Sequence, residues 1–231
     1  MMSRYFTSIF LLLLFSSCAN YKLNYSKEAK DWKTKNIAPT DQVVKHRMYL
    51  IGELGGLRPD KQKKLEGSGK NSSVVFLGGN VSPKGLARKS KKEARKLAEF
   101  QLDSQLDILK DYEGRIIFLP GRTDWKKYGL KGLRRQEKYL EKRLNKGIEE
   151  EDDWEEHFFP GNGCSGPEVV EINDQLVVVV VDSQWYLGDW DAEPEINDGC
   201  EIKTRKDFAF HFEEVVRKYR NKNVVEDMHH P

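Results

Sequence analysis

Apolar residues recur along this chain in short runs that end in glycine-rich turns, with stretches of helical spacing between them. Arg47-Met-Tyr-Leu-Ile-Gly52 predicts a strand running into the turn Glu53-Leu-Gly-Gly56. Ser73-Val-Val-Phe-Leu77 predicts a second strand, ending in Gly78-Gly79-Asn80. After it Ala94, Leu97, Ala98, Leu102, Leu106 and Leu109 recur near the helical period. A third strand, Arg115-Ile-Ile-Phe-Leu-Pro120, leads into Gly121-Arg122-Thr123-Asp124-Trp125. Leu133, Leu140 and Leu144 mark a strongly basic helix, followed by the acidic run Glu149 to Glu156. Charge blocks of opposite sign this close predict a solvated, internally compensated insertion. Glu168-Val-Val-Glu-Ile172 and the apolar run Gln175 to Val181 flank Asn173-Asp174, a hairpin with one half-exposed and one fully buried strand. Thr204-x-x-Asp207 caps a helix with Phe208, Phe212, Val215, Val216 and Tyr219 on one face. Asn223-Val-Val-Glu226 then starts a last strand toward His229-His230. Strand-turn-helix units mixed with a hairpin predict an α/β domain over 47–231 whose strand ends gather at one edge.

The first 46 residues read differently. Arg4, the apolar run Ile9 to Phe15 and then Ser16-Ser17-Cys18 form a secretory signal over 1–17, too short to span a bilayer. Phe15-Ser-Ser-Cys18 resembles a lipobox, which makes Cys18 the expected lipidation site. Residues 18–46, polar and Lys-rich, are then a tether between lipid and domain. The expected location is that of an exported, membrane-anchored lipoprotein facing the periplasm or cell surface. In an oxidising compartment a Cys164–Cys200 disulfide is preferred to free thiols, because metal or redox chemistry would want closer spacing.

Composition adds two exclusions. A chain of 231 residues with 38% hydrophobic and 33% charged residues is too polar for a multi-span membrane protein. Thirty-nine Lys and Arg against 37 Asp and Glu leave a net charge of only +2, so no global field points to nucleic acid. Gly67-Ser-Gly-Lys-Asn-Ser72 is not a phosphate loop: Lys64 stands where the first Gly is required, Asn71 where Ser or Thr is required, and a strand follows.

The turns and several flanking stretches carry a more specific likeness. Phe76-Leu-Gly-Gly-Asn80, Asn162-Gly-Cys-Ser-Gly-Pro-Glu168, Asp182-Ser-Gln-Trp185 and Cys200-Glu-Ile-Lys-Thr204 resemble an exported bacterial group of the calcineurin-like metallophosphoesterase family. The resemblance runs from about Arg47 to Pro231. It implies an α/β sandwich of two sheets flanked by helices, a pair of divalent metals (Mn, Fe or Zn), and phosphoester hydrolysis. It also implies further strands past Pro231, so the domain is expected to be C-terminally truncated.

A two-metal site works by sharing a carboxylate and a hydroxide between dications that clamp a phosphate ester. By resemblance the metal ligands here are Glu53, Asn80 and His229, with Asp124 as the catalytic acid of the third motif. The chain departs from that pattern at several of these turns. Glu53 replaces the first Asp, Gly79 the bridging Asp, Arg122 an Asn ligand, and Thr123 a His. A guanidinium about 4 Å from a dication costs roughly 8 kcal/mol near a surface before relaxation. The expected alternative is an Arg122–Glu53 pair in the former metal volume, with Arg122 able to bind a phosphate group bidentately. The expected partner is a phosphate ester or another phosphate-containing ligand. The function is either hydrolysis through a degraded metal site or a membrane-tethered, non-catalytic phosphate-binding or structural module.

Overall fold

β2 (Ser72–Phe76) is buried along its whole length, as the apolar run there requires. The computed structural model describes residues 43–52, 65, 69–188 and 194–230. The expectations for the signal at 1–17, lipidation at Cys18, the tether before residue 43 and the Glu53 ligand lie outside the described residues. β1 (Arg47–Ile51) and β3 (Arg115–Phe118) flank β2 in parallel, in the order β1-β2-β3. The long link from β2 to β3 carries helix α1 (Lys92–Asp107), as a parallel crossover needs.

Side-chain alternation along β2 sends neighbouring residues into two different cores. Val74 and Phe76 pack with Phe118, with Ala98 and Leu102 of α1, and with Leu133 and Leu140. The Phe76 and Phe118 rings stack at 4.1 Å between centroids. Val75, Ile117 and Leu119 instead meet Val170, Val178 and Val180 of a second sheet. That sheet joins β4 (Glu168–Asn173), β5 (Leu176–Val180) and β6 (Asn223–Asp227) in the order β4-β5-β6. β4 pairs antiparallel with β5, and β6 pairs parallel with it. The architecture is therefore mixed α/β, with two small sheets flanked by helices. Residues 44–231 form one compact unit.

The short helices α2 (Arg122–Trp125) and α4 (Ser183–Tyr186) follow β3 and β5 directly. The last helix, α5 (Arg205–Lys218), begins with the expected reciprocal cap. Thr204 Oγ1 accepts from the Asp207 amide at 3.1 Å, and the Asp207 carboxylate accepts from the Thr204 amide at 3.1 Å. Its apolar stripe is only half-buried, with Phe208 stacked between Trp185 and Phe212.

The basic helix is not a solvated insertion. α3 (Gly129–Leu144) buries Gly132, Leu133, Gln136 and Leu140 against the first sheet. Each fully buried leucine is worth about 1.5–3 kcal/mol. Of its cations Arg143 meets Asp103 of α1 at 2.6 Å, and among the described residues none forms an ion pair with the acidic run. From the acidic run, Glu155 pairs with Arg115 of β3. The sequence shows the charge blocks but not the long-range partners that decide which face is wet.

Candidate functional site

Hydrogen bonds gather four strand ends at one place. Asp124, fully buried in α2, accepts through Oδ2 from the amides of Gly121 and Gly79, both at 2.9 Å, and of Asn80 at 3.3 Å. Its Oδ1 accepts from the Val81 amide at 2.8 Å. One carboxylate thus ties the turn after β3 to the turn after β2. Asn80 reinforces the link by donating its Nδ2 to the Leu119 carbonyl at 2.8 Å. The turn after β2 also needs its glycines: Gly78 and Gly79 lie at φ +82° and +71°, where residues with a Cβ are strained. Gly121 is required for proximity, since a Cβ there would sit 2.5 Å from Gly79 N and 2.7 Å from His229 Nδ1.

The second sheet contributes from the other side. His229, beyond β6, donates Nδ1–H to the Leu77 carbonyl at 2.7 Å, which leaves Nε2 as its open nitrogen. Its ring meets that of His230 edge-on at 4.6 Å. His230 is tied to the end of β5, where Ser183 Oγ lies 3.1 Å from its Nδ1 and accepts from its amide at 2.9 Å. Asp182 caps α4 by accepting from the Trp185 amide at 2.8 Å, and its Oδ2 accepts from the Trp125 indole at 2.8 Å. That bond joins the two sheets' strand ends. Asp182 and Ser183 belong to this cluster too, although the stretch Asp182-Ser-Gln-Trp185 enters the sequence reading only as a likeness, with no site role expected of either residue. The sequence signal for Asp182 was a carboxylate directly after an apolar strand and before a three-residue step to Trp185.

Arg122 is exposed at the start of α2, and its charge reaches His230. Burial, then His229 and Arg122, hold the His230 imidazole below its ordinary pKa, so it is neutral near pH 7. Thr123, at the position of the expected His, has a buried Oγ1 with no hydrogen-bond partner. The Gln136 amide lies beside Asp124 but outside hydrogen-bonding geometry.

Burial dominates the carboxyls. It pushes Asp124 up to about 6 against the opposing pull of its backbone donors, and Asp182 up to about 7, helped by the Asp124 charge. Asp227, at the end of β6, is raised to about 6 by burial, and its Oδ2 is unpartnered. A carboxyl whose folded pKa exceeds its ordinary value holds a proton in the native state that the unfolded chain releases. Its contribution to stability therefore falls as pH rises from near 3.8 through the folded value. His46, His157 and His230, all lowered chiefly by burial, act in the opposite sense below pH 6.5. Between pH 8 and 6.5 the native carboxyls raised to about 6 or 7, Asp124, Asp182, Asp227 and Glu137, take up more protons than the unfolded chain's imidazoles, so the melting temperature should rise modestly as pH is lowered across that range. Asp182→Asn should flatten the slope, and a melting temperature that climbs toward pH 8 would contradict this assignment.

These residues do not fit a pair of dications. Gly79 offers no side chain, and both oxygens of Asp124 are engaged by backbone amides, so among the described residues Asn80 and His229 are what remains of the expected ligand set, with the Arg122 guanidinium nearby. Among the described residues no three His, Cys, Asp or Glu side chains converge as metal ligands. A separate groove of about 820 Å3 lies between α3 and the Cys164–Cys200 disulfide, and none of the strand-end residues line it. No helix among the described residues is long and apolar enough to cross a membrane.

No protein-family model, no curated protein and no solved structure matches this chain.

Proposed function

We propose that the chain is a membrane-tethered domain of calcineurin-like ancestry that binds a phosphate group through Arg122 and no longer performs two-metal hydrolysis. The observation that carries this reading is the commitment of Asp124. The single acidic side chain in the third turn is spent on four backbone amides, so it serves the turn rather than a metal or a substrate. Arg122, by contrast, is exposed beside a neutral imidazole, and its planar fork matches a phosphate. The disposition of the two sheets and their joined strand ends is compatible with the fold that the motifs suggest. Lipidation at Cys18 would hold this domain at a membrane after export.

Calorimetry with inorganic phosphate or an aryl phosphate should give measurable heat for the wild-type protein, reduced at least tenfold in affinity by Arg122→Ala. Absence of binding by the wild type, or equal binding by the variant, would refute the phosphate reading. Turnover of the aryl phosphate in Mn2+, with two equivalents of metal retained on purification, would favour the hydrolase instead.

A further inference from the structure

A strongly basic face lies beside this site. Lys84, Arg88, Lys89, Lys91, Lys92 and Lys96 are all exposed, within thirteen residues that contain one acid, Glu93. None of the six makes an ion pair among the described residues. After Glu93, the next acids along α1 are already taken, Glu99 by Arg95 at 2.7 Å and Asp103 by Arg143 at 2.6 Å.

The face is held in shape. Arg135 of α3 donates Nε and Nη2 to the Leu86 carbonyl at 3.0 and 2.9 Å, and Arg95 donates Nη1 to the Ala87 carbonyl at 3.0 Å. Two half-buried arginines thus fasten the loop that carries the exposed cations onto α1 and α3. The Arg135 guanidinium is held below its ordinary range by burial first, and then by the charges of Arg95 and Arg88. Among the described residues the local charge is therefore predominantly positive, a state that an anionic partner relieves.

Two apolar side chains stand in the same place. Leu97 is 56% exposed and Phe100 58% exposed, one turn apart on α1 and next to Lys96. Lysines flanking exposed leucine and phenylalanine form the arrangement that interfacial helices present to lipid: cations at the phosphates, apolar groups at the acyl boundary. Phe100 would also stack on a nucleic-acid base, but Leu97 has no ring to stack, whereas both gain from lipid.

We propose that this face, the loop 82–91 together with the exposed side of α1, docks on an anionic lipid bilayer. Lys84, Arg88, Lys89, Lys92 and Lys96 would meet headgroup phosphates, and Leu97 and Phe100 would enter the headgroup boundary. The inference needs neither the phosphate site at Arg122 nor acylation of Cys18, and its test removes the latter.

The test uses the full chain carrying Cys18→Ser, sedimented with phosphatidylcholine vesicles and with vesicles containing phosphatidylglycerol. The apolar N-terminus adds binding to both kinds and the Lys-rich segment before residue 46 adds to the preference for phosphatidylglycerol, so the readout is the share of that preference removed by variants in the face itself. Each cation at an anionic surface contributes about fivefold. The combined Lys89→Glu, Lys92→Glu, Lys96→Glu variant should therefore lose that preference by more than tenfold. Leu97→Ser with Phe100→Ser should weaken binding to phosphatidylglycerol severalfold without shifting the thermal melt, because both side chains are exposed. High salt should abolish the preference of the parent protein, a measurement that needs no variant. Equal binding to both vesicles, or a preference untouched by charge reversal and salt, overturns the proposal. Tight binding to polyuridylate without vesicle preference overturns it in favour of a nucleic acid.

Discussion

Asp124→Ala should lower the melting temperature by roughly 10 °C, measured by circular dichroism at pH 7. Truncation strands the buried amides of Gly79, Asn80, Val81 and Gly121, which all point at one vanished acceptor. A buried donor left unpaired costs about 1–3 kcal/mol. Partial rearrangement, and relief from the burial that raises the Asp124 pKa to about 6, offset some of that loss. A net cost of about 4 kcal/mol at about 2–4 °C per kcal/mol for a domain of this size gives the stated shift. Asp124→Asn should recover part of it, since one oxygen remains to accept, while its NH2 faces donors. A melt within two degrees of wild type for Asp124→Ala would show that the turns do not depend on this carboxylate. It would also remove the main reason for denying Asp124 a chemical role.

Replacing Cys164 and Cys200 by serine should cost about 3 kcal/mol, read from denaturant unfolding with and without reductant. The bond joins residues 36 apart, and closing a loop of that length in the unfolded chain is worth somewhat under about 4 kcal/mol by chain entropy. The loss should be local as well as global. The turn at Gly161–Gly163 sits on α3, where Glu137 accepts from the Asn162 amide at 2.8 Å, while Glu168 accepts from the Gly161 amide at 2.9 Å. Glu137, Glu141 and Glu168 share the groove beside the disulfide, and burial, before any neighbouring charge, pushes Glu137 up to about 7. Without the bond, amide exchange should quicken first around residues 161–168 and 196–203. Phosphate binding at Arg122 should be unchanged, because the groove shares no residue with the strand ends. A double-serine variant as stable as wild type would mean that the tertiary contacts alone hold these loops.

Much of the fold could be read from short-range pattern. The apolar run ending at Val181 is a strand buried on both faces, with Val177 to Val180 fully excluded from solvent. The Thr204–Asp207 box starts α5 where its spacing says it should. The glycines after β2 and β3 mark the turns that meet. Periodicity fails where a contact is distant. Leu133 and Leu140 have helical spacing, but the charges around them concealed that their face belongs to the core. The partners Asp103 and Arg115 lie far along the chain from the charges they neutralise. At the candidate site the motif positions were visible, but their roles were not. Nothing local in Gly121-Arg-Thr-Asp124 says that the acid turns back onto the amides of residues 79–81. Nor does anything in Asp182-Ser183 foretell a histidine 47 residues later on Ser183.

Because β2 is apolar toward both of its neighbours, a slip of one residue along it would exchange one oily environment for another. Hydrophobic alternation therefore does little to set its register. Polar pins at its two ends do that instead. At the start, Ser72 Oγ donates to the Gly69 carbonyl at 2.7 Å and lies 3.0 Å from the Tyr112 hydroxyl, while Ser73 Oγ meets His46 at 3.1 Å. At the far end, the Gly79 amide reaches Asp124. The serines at the opposite end of the strand thus set the height at which the Gly-Gly-Asn turn meets Arg122 and His229, as a ruler clamped at one end fixes the position of the other.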